Sequence, residues 1–199
     1  MHYYLILPMS RENLNYCFVD NYPEGLGLID YKIGHGEPLG ADYPMDARVY
    51  MTERYKGMQV PDLVENTCGM RIVSRRVKEV FERVNQSPVE YLPVAIYNHK
   101  KRVASTDHFI VNPLGTVDCL NLEASEIEYH NGKVVSVDNP VLDPAKVETA
   151  PHLFRMREHS YSYLFSEVMF QALRTLDPRP TNFILDQLAQ VPSGTPHCA

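Results

Sequence analysis

A chain of 199 residues with 44% hydrophobic and 22% charged residues has the balance of a folded protein, and its length suits one domain with a substantial core. That composition excludes wholesale disorder, collagen-like repeats and coiled-coil character. A formal charge of −6 argues against general nucleic-acid binding, which needs Lys and Arg arrayed against phosphates.

The opening Met1-His2-Tyr3-Tyr4-Leu5-Ile6-Leu7-Pro8 reads as a first strand. It lacks a basic leading region and is cut short by Pro8 and Arg11, so it is not expected to be a signal peptide. No apolar run approaches the roughly 18 to 20 residues needed to cross a bilayer; the best, Val89 to Tyr97, is broken by Glu90 and Pro93. A soluble, cytoplasmic protein without a membrane partner is expected.

From Asn13 to Asp62 six glycines and four prolines interrupt any sustained period, which predicts a loop-rich lobe with short strands at best. Through Cys68 the chain carries ten acids against five bases, whereas the remainder is nearly balanced. Asp30, Asp42, Asp46 and Glu53 alternate there with Tyr22, Tyr31, Tyr43, Tyr50 and Tyr55. Carboxylates steer a basic protein partner, and tyrosines supply rigid amphipathic contact area. Asp30, Asp42, Asp46, Glu53, Tyr31, Tyr43, Tyr50 and Tyr55 are therefore the candidate partner-binding residues. The competing reading is that the tyrosines pack the lobe onto the rest of the chain while the acids keep it soluble.

Gly69-Met70-Arg71-Ile72-Val73 reads as a strand or a turn into a helix. Ser74 stands at the N-cap position, where its hydroxyl could accept from a first-turn amide. Val77, Val80, Phe81 and Val84 then fall on one helical face. The other face carries Arg75, Arg76, Lys78, Glu79, Glu82 and Arg83, so loss of Arg76 is expected to be nearly silent, and Glu79 to Arg83 has the spacing of an ion pair.

Pro88 to Tyr97 predicts a strand that Pro93 confines to an edge or a bulge. Asp107–Asn112 and Thr116–Leu120, joined by Pro113-Leu114-Gly115, read as a hairpin. Ser125–His130 and Lys133–Asp138 flank Asn131-Gly132, the dipeptide suited to a type I′ turn because both positions tolerate positive φ. Leu153–Arg157 reads as a strand. A second helix is predicted from about Ser162, with Phe165, Val168, Met169, Ala172, Leu173 and Leu176 at helical spacing, stopped by Asp177-Pro178-Arg179-Pro180. The whole is an α+β domain over residues 1–190, mainly an antiparallel sheet with helices at about 74–85 and 162–176, an N-terminal lobe over about 1–68 and a flexible tail over 191–199.

Catalytic and cofactor motifs are weak. Gly34-His35-Gly36-Glu37-Pro38-Leu39-Gly40 has its third glycine one place late for a dinucleotide loop, and Pro38 interrupts the position where a helix should open. Phosphate-loop, serine-elbow and zinc-helix patterns are absent. Eight histidines never place two on one helical face, and Cys17, Cys68, Cys119 and Cys198 form no Cys-x-x-Cys pair, so no metal, no cofactor and reduced thiols are expected. A hydrolase would have to draw on Asp107, His108, Asp118 or Glu123, whose spacing does not raise them above ordinary turn and hydrogen-bonding residues.

The order of several short segments carries a further signal. Pro61-Asp62-Leu63, Ile72-Val73-Ser74 opening a helix, Val89-Glu90-Tyr91-Leu92-Pro93-Val94, Phe109-Ile110-Val111-Asn112, Val117-Asp118-Cys119-Leu120-Asn121 and Leu153-Phe154-Arg155 before Ser166-Glu167 together resemble the immunity-protein family numbered eleven among bacterial polymorphic-toxin systems. The resemblance spans about Pro61 to Leu188. It implies a non-catalytic protein that binds and neutralises a cognate toxin, with no catalytic residue to carry over. A small hydrolase and a self-associating scaffold are the alternatives; the sequence leaves homo-oligomer formation open.

Overall fold

The computed structural model describes residues 1–6 and 13–194. In chain order they form β1 (Tyr3–Ile6), β2 (Phe18–Val19), α1 (Tyr31–His35), β3 (Arg48–Tyr50), β4 (Leu63–Asn66), β5 (Arg71–Ser74), α2 (Arg75–Val84), β6 (Val89–Tyr97) and β7 (Val103–Pro113). There follow β8 (Glu126–His130), β9 (Lys133–Asn139), β10 (Val141–Leu142), β11 (Leu153–Arg155), β12 (Tyr163–Ser166), α3 (Glu167–Arg174), β13 (Leu185–Gln187) and β14 (Ala189–Gln190). The architecture is α+β, and its longest strand pairings are antiparallel.

A six-stranded sheet runs β2-β4-β5-β7-β6-β3, and a four-stranded sheet runs β11-β12-β1-β13. Strand alternation sends successive side chains to opposite faces. Val64, Ile72, Leu92, Val94, Ile96 and Ile110 of the larger sheet join one cluster with residues of the N-terminal lobe. Leu63, Val73 and Val111, on the other face, meet Tyr4, Ile6, Leu153, Tyr163 and Phe165 of the smaller sheet together with α2 and α3. The far face of the smaller sheet, with Tyr3, Phe154 and Leu164, is covered by Cys119, Leu120, Leu142 and Val147. A bridge between Val19 and Met51 and a bond from the Thr52 amide to the Phe18 carbonyl (2.8 Å) join the two edges of the larger sheet, so it curls around the first cluster.

The stripe on α2 is as its spacing predicts: Val77, Val80 and Phe81 are buried, and Phe81 meets Phe165 with ring centroids 5.1 Å apart. The polar side differs. The ion pair is Lys78–Glu82 at 2.6 Å, and Ser74 makes no capping bond with its side chain. Its hydroxyl instead donates to Asp62 (2.5 Å). Arg76 is not idle: it grips Asp62 through Nε (2.7 Å) and a terminal nitrogen (2.6 Å) and also donates to the Pro178 carbonyl (2.6 Å). Asp62 further accepts from Thr181, so one carboxylate joins α2 to the segment after α3.

The helix expected from Ser162 begins five residues later, at Glu167. Tyr163–Ser166 is buried throughout and pairs with both β1 and β11; buried on both faces, it extends and forms backbone bonds to both neighbours. Ser166 then caps α3, its hydroxyl accepting from the Met169 amide, and Val168 points outward at 45% exposure. The hairpin expected across Pro113-Leu114-Gly115 does not form. β7 is taken between β5 and β6, Gly115 turns at φ +75°, and Val117 bridges to Met156 instead. The Asn131-Gly132 turn does form, at φ values of 51° and 74°. Pro93 lies just outside the β3 pairing, which starts at Ala95, and next to a register shift between Val94 and Ile96; it removes no ladder bond there.

The expected tail begins tethered: the Val191 amide donates to Leu142, and the Ser193 hydroxyl donates to Asp143 (2.5 Å). Residues 195–199, with His197 and Cys198, lie outside the described residues, as does the end of the first strand at Leu7-Pro8. Among the described residues no helix is long and apolar enough to cross a membrane.

Candidate functional site

Beyond the sheet pairing of β2, β3 and β4 and the shared apolar cluster, three buried or half-buried polar side chains tie the α1 region of the N-terminal lobe to the body. Arg155, fully buried, donates to the carbonyls of Ile33 (2.6 Å) and Gly34 (3.2 Å) in α1 and to Pro113 (2.9 Å). Glu90 accepts from the amides of Leu39 (3.0 Å) and Gly40 (2.8 Å), and Asn112 donates to both Glu90 and the Glu37 carbonyl. Gly36 caps α1 at φ +69°; a Cβ there would lie 2.9 Å from the carbonyl oxygens of Pro113 and Gly115, so only glycine lets the lobe approach this closely. The Gly34–Gly40 stretch thus ends a helix, where a dinucleotide loop would open one.

On this anchored lobe the eight candidate residues fall into separate roles. Tyr43 packs against the first core cluster and donates to the Pro93 carbonyl (3.0 Å); burial pushes its phenol up. It is a packing residue, as is Tyr22. Tyr31, at 46% exposure, and Tyr55, at 37%, face outward, the latter against Phe18. Tyr50 lies between, donating to Glu24 (3.0 Å) and tilted against Tyr97. Asp30 is half-buried at the start of α1. Asp42, Asp46 and Glu53 are exposed, but each faces a base of the same lobe: Lys32–Asp42 at 3.5 Å, Arg48–Asp46 at 2.7 Å and Lys56–Glu53 at 3.4 Å. In the same stretch of chain Leu14, Leu28, Met45 and Met58 are exposed, as are Tyr31 and Tyr55.

Where the lobe meets the body, a cavity of about 340 Å³ is lined by Tyr22, Thr67, Cys68, Arg71, His159 and Tyr161, among others. Tyr161 closes against two glycines, since a Cβ on Gly69 or Gly34 would come within 2.3 Å of its ring, and an edge-to-face chain runs from Tyr31 through His35 to Tyr161. Arg71 is 94% buried by its 6% exposure. It stacks on Tyr163 (4.9 Å), as does Arg155 (4.2 Å). Burial, with the charge of Arg155 nearby, draws the Arg71 pKa down to about 10, and burial with Arg71 lowers that of His159. Sequence reasoning did not single out Arg71, Arg155, His159 or Tyr161; arginines in apolar strand runs, at Arg71 in Met-Arg-Ile-Val and Arg155 in Leu-Phe-Arg-Met, were the available signal.

The residues a hydrolase would require are dispersed. Asp107 pairs with Arg75 at 2.5 Å, and Asp118 pairs with Lys146 (2.9 Å) and Arg157 (3.0 Å). His108 is buried between Ser105 (2.8 Å) and the Pro61 carbonyl (3.1 Å); burial lowers its pKa, and both ring nitrogens are engaged. Among the described residues no three His, Cys, Asp or Glu side chains are grouped to hold a metal ion, and Cys17, Cys68 and Cys119 are free thiols.

The model of an immunity protein family, Imm11, matches residues 19–189. No curated protein matches the chain.

Proposed function

The chain belongs to the Imm11 family of immunity proteins, and from that premise we propose that it meets its toxin through the outer surface of the N-terminal lobe. As a member of the family it neutralises a cognate toxin without catalysis. One observation carries the choice of surface: among the described residues, six of the twelve exposed large hydrophobic side chains, Leu14, Leu28, Tyr31, Met45, Tyr55 and Met58, lie between residues 13 and 62. Exposed apolar side chains interspersed with polar ones along one stretch of chain are the kind an interface buries. Asp30, Asp42, Asp46, Glu53 and Tyr50 supply the polar rim, and the acidic excess of this part of the chain suits a toxin with a basic contact face. Tyr43, taken up by packing, supports the surface from beneath. Residues 1–190 act as one unit, supported by a core cluster that spans Tyr4 to Leu173, with Leu185 packed against it. The reading places the protein in the cytoplasm, where its thiols stay reduced.

The test is Asp42→Lys with Asp46→Lys, and separately Tyr31→Ala, each studied with the product of the adjacent toxin gene. Exposed ion pairs contribute only about 0–1 kcal/mol, so melting should hold. Association should slow by about tenfold in the double variant with a flatter salt dependence, and Tyr31→Ala should speed dissociation. Binding and salt dependence equal to the parent in both would remove this surface.

A further inference from the structure

We infer that the cavity floored by Arg71 is a binding site for an oxyanion, a phosphate or carboxylate group carried on a larger apolar or aromatic body. A guanidinium has five N–H donors in a rigid fork. At Arg71 three contacts are made to backbone carbonyls, and all are long: Gly69 at 3.3 Å, Met70 at 3.4 Å and Tyr161 at 3.2 Å. The buried Nε–H has no partner at all. Arg155, by contrast, is closely satisfied, with bonds of 2.6 Å to Ile33, 2.7 Å to Ser160 and 2.9 Å to Asn112.

Charge points the same way as geometry. Arg71 and Arg155 stack on the same Tyr163 ring, and among the described residues neither has a carboxylate in ion-pair range. Two buried cations without an anion are costly, because desolvation is not repaid by an opposite charge. A planar fork with an unpartnered Nε–H, on a side chain that lines a cavity, is what bidentate recognition of phosphate or carboxylate uses. At about 340 Å³ the cavity has the size of a small-molecule site, larger than a bare anion fills. Its Tyr22 and Tyr161 walls provide apolar faces for the rest of the ligand.

The ligand group could be a diffusible metabolite's phosphate or carboxylate, or a carboxylate on the toxin. Inorganic phosphate and phenyl phosphate serve as probes on the toxin-free chain, at ionic strength held constant with chloride, while the Arg71 Nε–H resonance is followed in the ¹⁵N-labelled protein. A saturable shift is expected, reached at lower concentration with phenyl phosphate. Arg71→Gln should weaken binding by about tenfold or more, as loss of a charge-assisted bond implies. Should that variant fail to fold, the resonance in the parent protein decides alone. A resonance unmoved by either probe, or one that moves equally with chloride, overturns the proposal. Repeating the titration on the toxin complex separates the sources: phosphate displaced by toxin assigns a toxin carboxylate, and phosphate retained assigns a diffusible anion. The free-chain result stands or falls apart from the choice of toxin-binding surface.

Discussion

Arg76→Ala should be among the more damaging changes on the solvent side of α2, against the expectation from its helical position. The Asp62 side chain is 9% exposed and that of Arg76 31%, and the pair is made through two guanidinium nitrogens. Breaking a buried pair costs about 3–5 kcal/mol because a charge is left behind unpaired. Arg76 is about a third exposed, and Ser74 and Thr181 still donate to Asp62, so about 2–3 kcal/mol is the expected loss. In a chain of this size each kcal/mol moves the melting temperature by about 2–4 °C, giving a fall of about 4–12 °C. Acid dependence supplies a second check. Burial opposes the Asp62 charge, yet the bonds from Arg76, Ser74 and Thr181 outweigh it and hold its carboxyl well below the usual value of 3.8. A depressed folded-state pKa gives stability that is complete above the unfolded value and lost as pH falls through the folded one. Without Arg76 the carboxylate loses one of the groups that hold its pKa down, and the folded-state pKa moves up from the parent's. The variant's folded carboxylate then protonates before the parent's, and the gap between variant and parent should narrow as pH falls from about 5 through the unfolded value and below. Thermal melts and urea midpoints across that range measure both effects. A variant that melts within about 1 °C of the parent, or keeps a constant offset at every pH, refutes the account.

Three further outcomes are expected. Val80→Asp puts a charge beside Val77 and Phe81 in the core shared by α2 and α3 and should cost several kcal/mol, on the order of the whole folding margin; near-parental melting would mean that α2 does not bury this face. Glu90→Ala should leave the main melting transition largely in place but speed hydrogen exchange at the Leu39 and Gly40 amides it accepts from, an effect absent if the lobe is held by apolar packing alone. Burial pushes the Cys17 and Cys119 thiols up to about 12, so both should resist a maleimide in the native protein and react once it is unfolded; labelling of either under native conditions would contradict their burial.

Much of the fold is written locally. The α2 stripe and the Asn131-Gly132 turn could be read because a helix repeats at three to four residues and a type I′ turn needs two positive φ values, constraints that lie within a few consecutive residues. The short elements between Asn13 and Asp62, β2, α1 and β3, followed from glycines and prolines that break any sustained period, and the order of short segments was enough to resemble the family whose model spans residues 19–189. The same local reading placed Tyr163–Ser166 in a helix, since apolar spacing there fits either period; pairing with β1 and β11, neither adjacent in sequence, made it a strand. It also closed a hairpin at Pro113-Leu114-Gly115 that β5 and β6 forestall by taking β7 between them. Side-chain partnerships lay further out of reach. Arg76 meets Asp62 and the Pro178 carbonyl, Arg155 reaches back to Ile33, and Arg71 comes to lie beside Tyr161 and Tyr163. A position on a helix or strand states only which way a side chain leaves the backbone; which group meets it there depends on distant segments, and those contacts exist only once the chain has closed on itself.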